Sequence, residues 1–479
     1  MHPRPISTAL GLTLLAATLT TAIPADAAEQ PGSAPISAYT LVAPRSTAAS
    51  GLVVRAVMPA GADCPEVEVV RQRNGNVHFG RLDMRERSAP ATTYPAFASI
   101  LVCSAHLPLD VIGASVAGRP VPAALPAVVD EVAMVSDTGC RIASFEVQDC
   151  SSAVEWPLAA ISQSIADEEP DVVLVVGDFY YREAACPPTA QALCGSSPPP
   201  VTGLPFTDSA YGWIADVLLP MAPLLSSVPL VMVRGNHEAC NRGGNGYFLL
   251  LDPRDGTEDA CAPVPGDTGL VAAATVPTGT YAIDMAVAPG RTLRLAVVDS
   301  AGGSDTRVTA FASLQRPAYQ RAAGLTRSRP GRESWLLTHR PVYGYVTTQF
   351  AVPGAPFNPW TSADQTASSE GLLGSYEMVL SSHIHIAQAV RLPGLPSQLV
   401  LGNGGTQLDP AIGYPLPSTP PTAGYPLPDW AWVAPRFGYA IATPLADAGA
   451  WRISMRDPAG EQFARCGLRD ASLYCVDGS

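Results

Sequence analysis

Residues 171–183 read "DVVLVVGDFYYRE", an apolar run that leads directly into a carboxylate, two phenols and an Arg-Glu pair. Such a run is typical of a strand buried on both faces of a sheet. The same pattern recurs at "EVAMVSDTGC", "VPLVMVRGNHE", "LRLAVVDSAGG", "SWLLTHRP", "YEMVLSSHIH" and "SQLVLGNGG". Helical stretches lie between some of these runs. The pattern predicts an α/β core whose polar clusters converge beyond the carboxyl ends of its strands.

The composition is that of a globular protein. The chain has 479 residues, 47% of them hydrophobic and 15% charged, which is enough for one large domain and a smaller one. Its formal net charge of −13 argues against nucleic acid or an anionic membrane as a general partner.

Changes of pattern divide the chain. Residues 1–27 combine a basic start, an apolar stretch and a small-residue end, which predicts a signal peptide. Residues 28–127 hold short β-like runs and predict an N-terminal β domain, followed by the core domain over 128–479. Two Pro-rich insertions, 186–205 and 415–435, predict long loops that form a binding rim. Since no other segment could span a bilayer, we expect a secreted or periplasmic protein; the sequence does not fix its oligomeric state.

Ten cysteines in a chain with a predicted secretory signal indicate disulfides rather than thiols. Proximity along the chain favours five local pairs, although proximity alone does not determine connectivity. The pairs are Cys64 with Cys103, Cys140 with Cys150, Cys186 with Cys194, Cys240 with Cys261, and Cys466 with Cys475.

Histidines and other polar residues gather at the predicted strand ends. These are Asp137, Asp178, Asn236, His237, His339, His383 and His385. If "HIH" continues its strand, His383 and His385 face the same way. Asp178 and Tyr181 are three apart in a predicted first helical turn and share a face, whereas Tyr180 is out of register and is expected to pack. Carboxylate, amide and imidazole groups brought together in this way predict a metal site.

The order GD…GNHE…H…HxH resembles the calcineurin-like metallophosphoesterase superfamily. The motifs "SDTGC" and "GDFYY" are most similar to those of purple acid phosphatases. The residues around these motifs are most similar to those of bacterial secreted metallophosphoesterases. The resemblance implies an αββα sandwich of two mixed sheets, preceded by a small fibronectin III-like all-β sandwich. Most members carry His where this chain has Gly139, so Tyr181 is the implied replacement ligand. Ser136 and Ser382 stand where the family usually has Gly.

The resemblance also implies roles for the site residues. Asp137, Tyr181 and His385 would bind the first metal, Asp178 would bridge both, and Asn236, His339 and His383 would complete the second. His237 would donate to the leaving oxygen, and Glu238 could orient it. Arg141, Arg182, Arg242 and Arg340 could hold phosphate oxygens, although ordinary ion pairs are equally expected. The first set of ligands suits Fe(III), and the second suits Zn(II), Fe(II) or Mn(II).

The sequence therefore favours a secreted enzyme that hydrolyses small phosphate monoesters, with a metal-bridging hydroxide as the nucleophile. Two alternatives stay open: a phosphodiesterase that uses the same site, and a non-catalytic binding protein on a phosphoesterase scaffold. A serine hydrolase is disfavoured, because the sequence has no G-x-S-x-G motif.

Overall fold

The computed structural model describes residues 34–87, 95–144, 146–195, 208–258, 260–261, 278–326, 329–346, 360–409 and 416–478. The predicted signal peptide lies outside the described residues, as does the second half of the predicted loop 186–205. No helix in the described part of the chain is long and apolar enough to cross a membrane.

Strands dominate the described residues. In chain order they are β1 (Ser37–Val42), β2 (Leu52–Pro59), β3 (Glu66–Arg73), β4 (Asn76–Asp83), β5 (Arg85–Glu86), β6 (Ile100–His106), β7 (Val111–Val116), β8 (Arg119–Val121), β9 (Val132–Val135), β10 (Val172–Val175), β11 (Leu230–Met232), β12 (Tyr281–Ala288), β13 (Arg291–Val298), β14 (Arg332–Thr338), β15 (Met378–Ser381), β16 (Ala387–Arg391), β17 (Ser397–Leu401), β18 (Trp430–Ala434), β19 (Tyr439–Pro444), β20 (Trp451–Arg456), β21 (Gln462–Arg469) and β22 (Ser472–Asp477).

The helices are fewer and shorter. They are α1 (Leu158–Asp167), α2 (Ala210–Trp213), α3 (Ala222–Ser227), α4 (Gly244–Gly246), α5 (Phe311–Leu325) and α6 (Ala363–Ser369). Single π-helical turns, Ile214–Leu218 and Tyr247–Leu251, continue α2 and α4.

Two large mixed sheets face each other across one hydrophobic core. The first has the order β22-β21-β20-β19-β9-β10-β11-β1-β2-β6-β5, and the second β12-β13-β14-β15-β17-β16-β18. Leu174 of the first and Leu337 of the second belong to the same buried cluster. Ile161 of α1 packs on the outer side of the first sheet, and Tyr319 of α5 on that of the second. The predicted αββα sandwich is confirmed.

Parallel pairing aligns the ends of the strands that carry the motifs. In the first sheet Val175 of β10 pairs with Val135 of β9 and Met232 of β11. In the second sheet β13, β14, β15 and β17 are also parallel neighbours. The polar clusters that follow these strands therefore meet at one edge of the sandwich, as the sequence predicts.

The N-terminal region is all β, as predicted, but half of it extends the first large sheet. Leu41 of β1 pairs in parallel with Leu230 of β11, and β2, β6 and β5 follow outward. The other strands form a small sheet of order β4-β3-β7-β8, whose Val67 shares the main core. Hydrogen bonding thus crosses the sequence boundary at residue 127, because β1 is buried along its whole length and has β2 on one side and β11 on the other.

A buried arginine strengthens this connection. Arg55 of β2 is fully buried and donates from its guanidinium to three backbone carbonyls, at 3.0 Å to Leu249, 2.9 Å to Leu250 and 3.0 Å to Asp252. These carbonyls close the π turn that follows the GNHE motif. The N-terminal strands therefore fix the position of a segment next to the predicted site.

The disulfide pairs agree with the sequence prediction, whereas the predicted loop 415–435 agrees only in part. All ten cysteines are paired in five disulfides, with the connectivity that local grouping favours. The predicted loop 415–435 is wrong in its last part, which contains β18; Trp432 of that strand pairs with Ala389 of β16. The short apolar run "WAWVA" is sufficient to add a strand to the edge of the second sheet.

Candidate metal centre

Three side chains that follow different strands converge on the hydroxyl group of Tyr181. Its Oη lies 2.7 Å from Oδ2 of Asp178, 3.0 Å from Oδ1 of Asp137 and 2.9 Å from Nε2 of His385. All four residues are buried. This is the complete set predicted for the first metal, and its ligand atoms point at one another.

A second group shares Asp178 with the first. Nε2 of His339 lies 3.0 Å from Oδ1 of Asn236 and 3.1 Å from Oδ2 of Asp178. Ligand atoms of Asp178, His339 and His383 lie within 4.8 Å of one another. Asp178 therefore stands between the two groups, where the sequence predicts a bridging carboxylate.

Gly139 makes room for the tyrosine. A Cβ atom added to Gly139 would lie 2.6 Å from the carbonyl oxygen of Phe179 and 2.8 Å from Cδ2 of Tyr181. The space beside Gly139 is thus taken up by the phenol ring. This supports the exchange that the sequence suggests, in which a tyrosine supplies the ligand that another residue at position 139 would provide.

The local backbone differs from the prediction in two places. Residues 178–181 form no helical turn, and "HIH" lies in a bend between β15 and β16 instead of continuing a strand. The ligands converge because Asp137, Asp178 and His383 adopt left-handed backbone angles, with φ of 52°, 57° and 74°. Such conformations cost on the order of 1–3 kcal/mol each and cluster at functional sites.

The two serines that depart from the family pattern hold the site together. Oγ of Ser382 donates to the carbonyl of Val176 at 2.6 Å and lies 2.8 Å from Nδ1 of His339. Nδ1 of His339 is also 2.8 Å from the Val176 carbonyl, so Nε2 is the nitrogen turned toward Asp178. Ser136 contacts the carbonyl of Gly177 at 3.4 Å.

Glu238 has a different role from the predicted one. Its buried carboxylate accepts hydrogen bonds from four backbone N–H groups at 2.8–3.1 Å, those of Asp178, Phe179, Tyr180 and Gly235. The expectation that Glu238 orients His237 is therefore wrong. Glu238 instead fixes the loop that carries Asp178, because it accepts hydrogen bonds from backbone N–H groups of that loop that have no partner in a sheet.

The partner of His237 is Glu183, the last residue of the opening stretch. Oε1 of Glu183 lies 2.6 Å from Nδ1 of His237 and also contacts the guanidinium of Arg242. Nε2 of His237 lies 3.8 Å from Oδ2 of Asp178, and its ring stacks on that of Tyr181 at 3.6 Å between centroids. The imidazole thus turns Nε2 toward the metal ligands. No local sequence signal identifies Glu183, although it lies five residues after Asp178.

The four arginines differ in what they contact. Arg182 is buried in a two-bonded ion pair with Asp216, at 2.6 and 2.5 Å, so its predicted contact with phosphate is wrong. Arg242 lies beside the site and is paired with Glu183.

The other two arginines contact ligand histidines on their outer nitrogens. NH2 of Arg141 lies 3.3 Å from Nδ1 of His385, and NH1 of Arg340 lies 3.1 Å from Nε2 of His383. Both guanidinium groups therefore border the site from opposite groups of ligands. Nε2 of His383 also contacts Asp305 at 3.1 Å, a residue that the sequence analysis missed.

Comparison with known proteins agrees with this geometry. The family model described as calcineurin-like phosphoesterase matches residues 131–387, more than half of the chain. The chain belongs to this family. No curated protein sequence matches this calcineurin-like phosphoesterase.

A solved structure shows the same fold at low identity. This phosphoesterase is similar to the purple acid phosphatase PPD1 from yellow lupin (Lupinus luteus) seeds, with a TM-score of 0.50 and 14% identity over 93% of this chain and 74% of that one. A weaker similarity, with a TM-score of 0.36 and 9% identity, is to GAP50, the anchor in the inner membrane complex of Plasmodium; it covers 71% of this chain and 89% of that one.

The family implies a dinuclear metal centre, and the side chains of this phosphoesterase fit one. Two buried groups of oxygen and nitrogen donors converge, and they share the carboxylate of Asp178. Oxygen-rich donors surround Tyr181, whereas imidazole and amide donors surround His339. Buried polar groups in such a number are normally held by partners or by metal ions.

The electrostatics of the site's own side chains point the same way. Burial raises the pKa of the Tyr181 phenol well above its ordinary value, and Asp178 and Asp137 raise it further. Burial opposes ionisation of Asp178, but His339 and His237 hold the pKa of that carboxyl well below its usual range. Burial lowers the pKa of His237 to about 4. A cation beside Tyr181 would reverse the effect of burial by stabilising the phenolate.

Proposed function

We propose that this protein is a secreted hydrolase of small phosphate monoesters. The observation that carries the proposal is the convergence of Asp137, Asp178 and His385 at 2.7–3.0 Å around the phenolic oxygen of Tyr181. This donor set, with a second set beside it, matches the chemistry of metal-assisted phosphoryl transfer.

Seven side chains would hold the two metal ions. The first position would be held by Asp137, Asp178, Tyr181 and His385, and the second by Asp178, Asn236, His339 and His383. Two carboxylates and a phenolate suit Fe(III), whereas imidazole and amide donors suit Zn(II), Fe(II) or Mn(II). When bound, the metal ions supply a nucleophile from water and positive charge for the phosphoryl group.

The chain itself supplies a donor for the leaving group. Nδ1 of His237 contacts Glu183, which leaves Nε2 turned toward Asp178. A proton on Nε2 can pass to the leaving oxygen of an ester held among the ligands, which makes His237 the general acid. Glu183 takes the orienting role that the sequence suggests for Glu238.

Positive charge at the rim favours an anionic substrate. Arg340 and Arg141 lie next to ligand histidines of the second and the first position, respectively. Guanidinium groups bind phosphate oxygens through charge-assisted hydrogen bonds. We assign phosphate binding to these two residues because each contacts a proposed ligand histidine, whereas the guanidinium of Arg242 contacts Glu183.

Two observations support the rest of the proposal. The similar lupin protein is a phosphatase by name, and the tyrosine and Gly139 of this chain are the features on which the sequence resemblance to purple acid phosphatases depends. Five disulfides are typical of proteins in oxidising compartments.

The test is an assay of one preparation for both metals and activity. Purified protein is analysed for metal content and then supplied with aryl and alkyl phosphate monoesters and with the matching diesters. We expect two metal ions per chain and a preference for monoesters. Asp178→Asn should abolish activity, because it removes the shared carboxylate, whereas Tyr180→Phe should retain it.

Three other outcomes would contradict the proposal. Faster hydrolysis of diesters would indicate a phosphodiesterase. A protein that holds two metal ions and cleaves no ester would indicate a binding protein on this scaffold. A protein without metal and without activity would remove the basis of the proposal.

A further inference from the structure

His383 has an unusual setting for a metal ligand. Its backbone is left-handed, with φ of 74°, and Nε2 of its ring lies 3.1 Å from Oδ1 of Asp305. Ligand atoms of His383, Asp178 and His339 lie within 4.8 Å of one another, and since Asp305 occupies Nε2, Nδ1 is the nitrogen left to bind at the second metal position. An imidazole that binds a metal through Nδ1 must carry its proton on Nε2, and that proton needs an acceptor.

Asp305 is the acceptor in that position. Its Oδ1 lies 3.1 Å from Nε2 of His383 and also contacts NH1 of Arg340. Oγ of Ser362 donates to the same oxygen at 3.3 Å. A carboxylate oxygen can serve several donors, and here one oxygen ties a ligand histidine to the arginine at the rim.

The loop around Asp305 is anchored independently of His383. The backbone N–H of Ala363 donates to the carbonyl of Asp305 at 3.2 Å. Next to it, the N–H of Ser304 donates to the Asp364 carboxylate at 2.7 Å, and the N–H of Thr309 donates to it at 2.6 Å. The first turn of α6 thus holds residues 304–309, so that the Asp305 carboxylate is positioned before any metal ion arrives.

We propose that Asp305 is a positioning residue for the second metal position. It fixes the proton of His383 on Nε2 and the orientation of the ring, and this keeps Nδ1 free to bind the metal. The inference rests on the proposed function in assigning His383 to the second position. The inference adds to the site Asp305, a residue that follows β13; none of the proposed metal ligands follows that strand.

The contact with Arg340 provides a way to separate two explanations. If Asp305 acts on His383, its removal weakens metal binding. If it only neutralises Arg340, its removal changes substrate binding and leaves metal binding intact. Arg340→Met, which removes the guanidinium and keeps a chain of similar length, therefore distinguishes the two.

The experiment measures metal affinity, not activity. The full chain is stripped of metal and titrated with Zn(II), and the dissociation constants of both equivalents are measured for the wild type and for Asp305→Ala and Asp305→Asn. We expect Asp305→Ala to weaken one equivalent by about 10–100-fold, as is typical when a ligand histidine loses its partner. The other equivalent should be unchanged. Asp305→Asn should weaken it less, because the amide oxygen can still accept.

Glu146→Gln is the matched control. Glu146 pairs with Arg141 at 3.1 Å, and Arg141 lies beside Nδ1 of His385, but Glu146 itself has no contact with that ring among the described residues. Its replacement should leave both affinities unchanged, as should Arg340→Met. Circular dichroism checks that each variant is folded; if Asp305→Ala is not, Asp305→Asn decides.

The outcomes separate this inference from the proposed function. Unchanged affinity for both equivalents in the folded Asp305 variants would overturn the inference, and so would equal weakening by Arg340→Met. Weakened binding of one equivalent in a protein that hydrolyses no phosphate ester would support Asp305 and overturn the proposed function. A wild type that binds no Zn(II) would overturn the inference, and one that binds no Zn(II), Fe(II) or Mn(II) would overturn both.

Discussion

Replacing Gly139 with alanine tests whether Tyr181 occupies the place of a missing ligand. The added Cβ would lie 2.6 Å from the carbonyl oxygen of Phe179 and 2.8 Å from Cδ2 of Tyr181. Both distances are shorter than the non-bonded contacts that Cβ atoms make in proteins. The first contact is with a backbone carbonyl, which cannot rotate away as a side chain can. The amides on either side of that carbonyl are held by Glu238, so the strain should pass to the Tyr181 ring.

The size of the effect follows from these contacts. Overpacking of a close-packed interior by one carbon atom costs about 1–3 kcal/mol. We therefore expect Gly139→Ala to lower the free energy of unfolding by this amount. We also expect the Tyr181 hydroxyl to leave its contacts with Asp137, Asp178 and His385, which weakens metal binding at the first position.

Two measurements check the prediction. Chemical denaturation gives the stability, and visible absorption reports a tyrosinate bound to Fe(III), whose charge-transfer band should weaken or shift. Gly467→Ala is the control, because a Cβ there meets nothing within 4 Å. If Gly139→Ala is as stable as the wild type to within about 0.5 kcal/mol and keeps the band, the steric reasoning is wrong.

Three further predictions use other contacts. Tyr181→Phe should bleach the visible absorption, whereas Tyr180→Phe, whose ring stacks on a tryptophan at 5.2 Å, should leave the spectrum unchanged; a colourless wild type with iron at the first position would exclude tyrosinate ligation. His237→Ala should keep both metal ions and lower the rate of hydrolysis of alkyl esters by about 10²–10⁴-fold. Glu183→Ala should lower that rate in the wild type but not in the His237→Ala protein. An equal effect in both backgrounds would show that Glu183 does not act through His237. Arg55→Met should lower the free energy of unfolding by about 3 kcal/mol, measured by chemical denaturation, because buried carbonyls lose their donor.

The sequence predicts that the proposed ligands lie close together because parallel strands align their carboxyl ends. A buried apolar run that ends in Asp178 or His339 places that residue at the carboxyl edge of its sheet, whichever helix follows. The pairing of Val175 with Val135 and Met232 then brings the clusters together. The arrangement of two sheets came from the family resemblance, since periodicity alone does not determine strand order.

The local conformation of the ligands was less predictable. A helical turn at Asp178 and a continued strand at His383 were reasonable expectations from spacing, and both are wrong. The actual backbone is left-handed at these positions. Outside glycine, asparagine, aspartate and histidine adopt this conformation more often than other residues, so the residue types permit it without predicting it.

Contacts between residues far apart in the chain could not be predicted from the sequence. Asp305 meets His383 across 78 positions in the chain, and Arg182 pairs with Asp216 from the far side of a predicted loop. An arginine next to a catalytic motif looks the same in sequence whether it faces a substrate or a buried carboxylate. Only the fold distinguishes Arg340, whose guanidinium contacts His383, from Arg182, which pairs with Asp216.

The strained backbone at the proposed ligands must be held in place by hydrogen bonds to the surrounding residues. Left-handed angles at three ligand residues together cost several kcal/mol, on the order of 1–3 kcal/mol each, and they persist only where other bonds determine the backbone. At Asp178 the Glu238 carboxylate supplies these bonds by accepting from the amides of Asp178 and the next two residues. At His383 the N–H donates to Oδ2 of Asp137 at 3.1 Å. The protein's own hydrogen bonds therefore hold the proposed ligands in place.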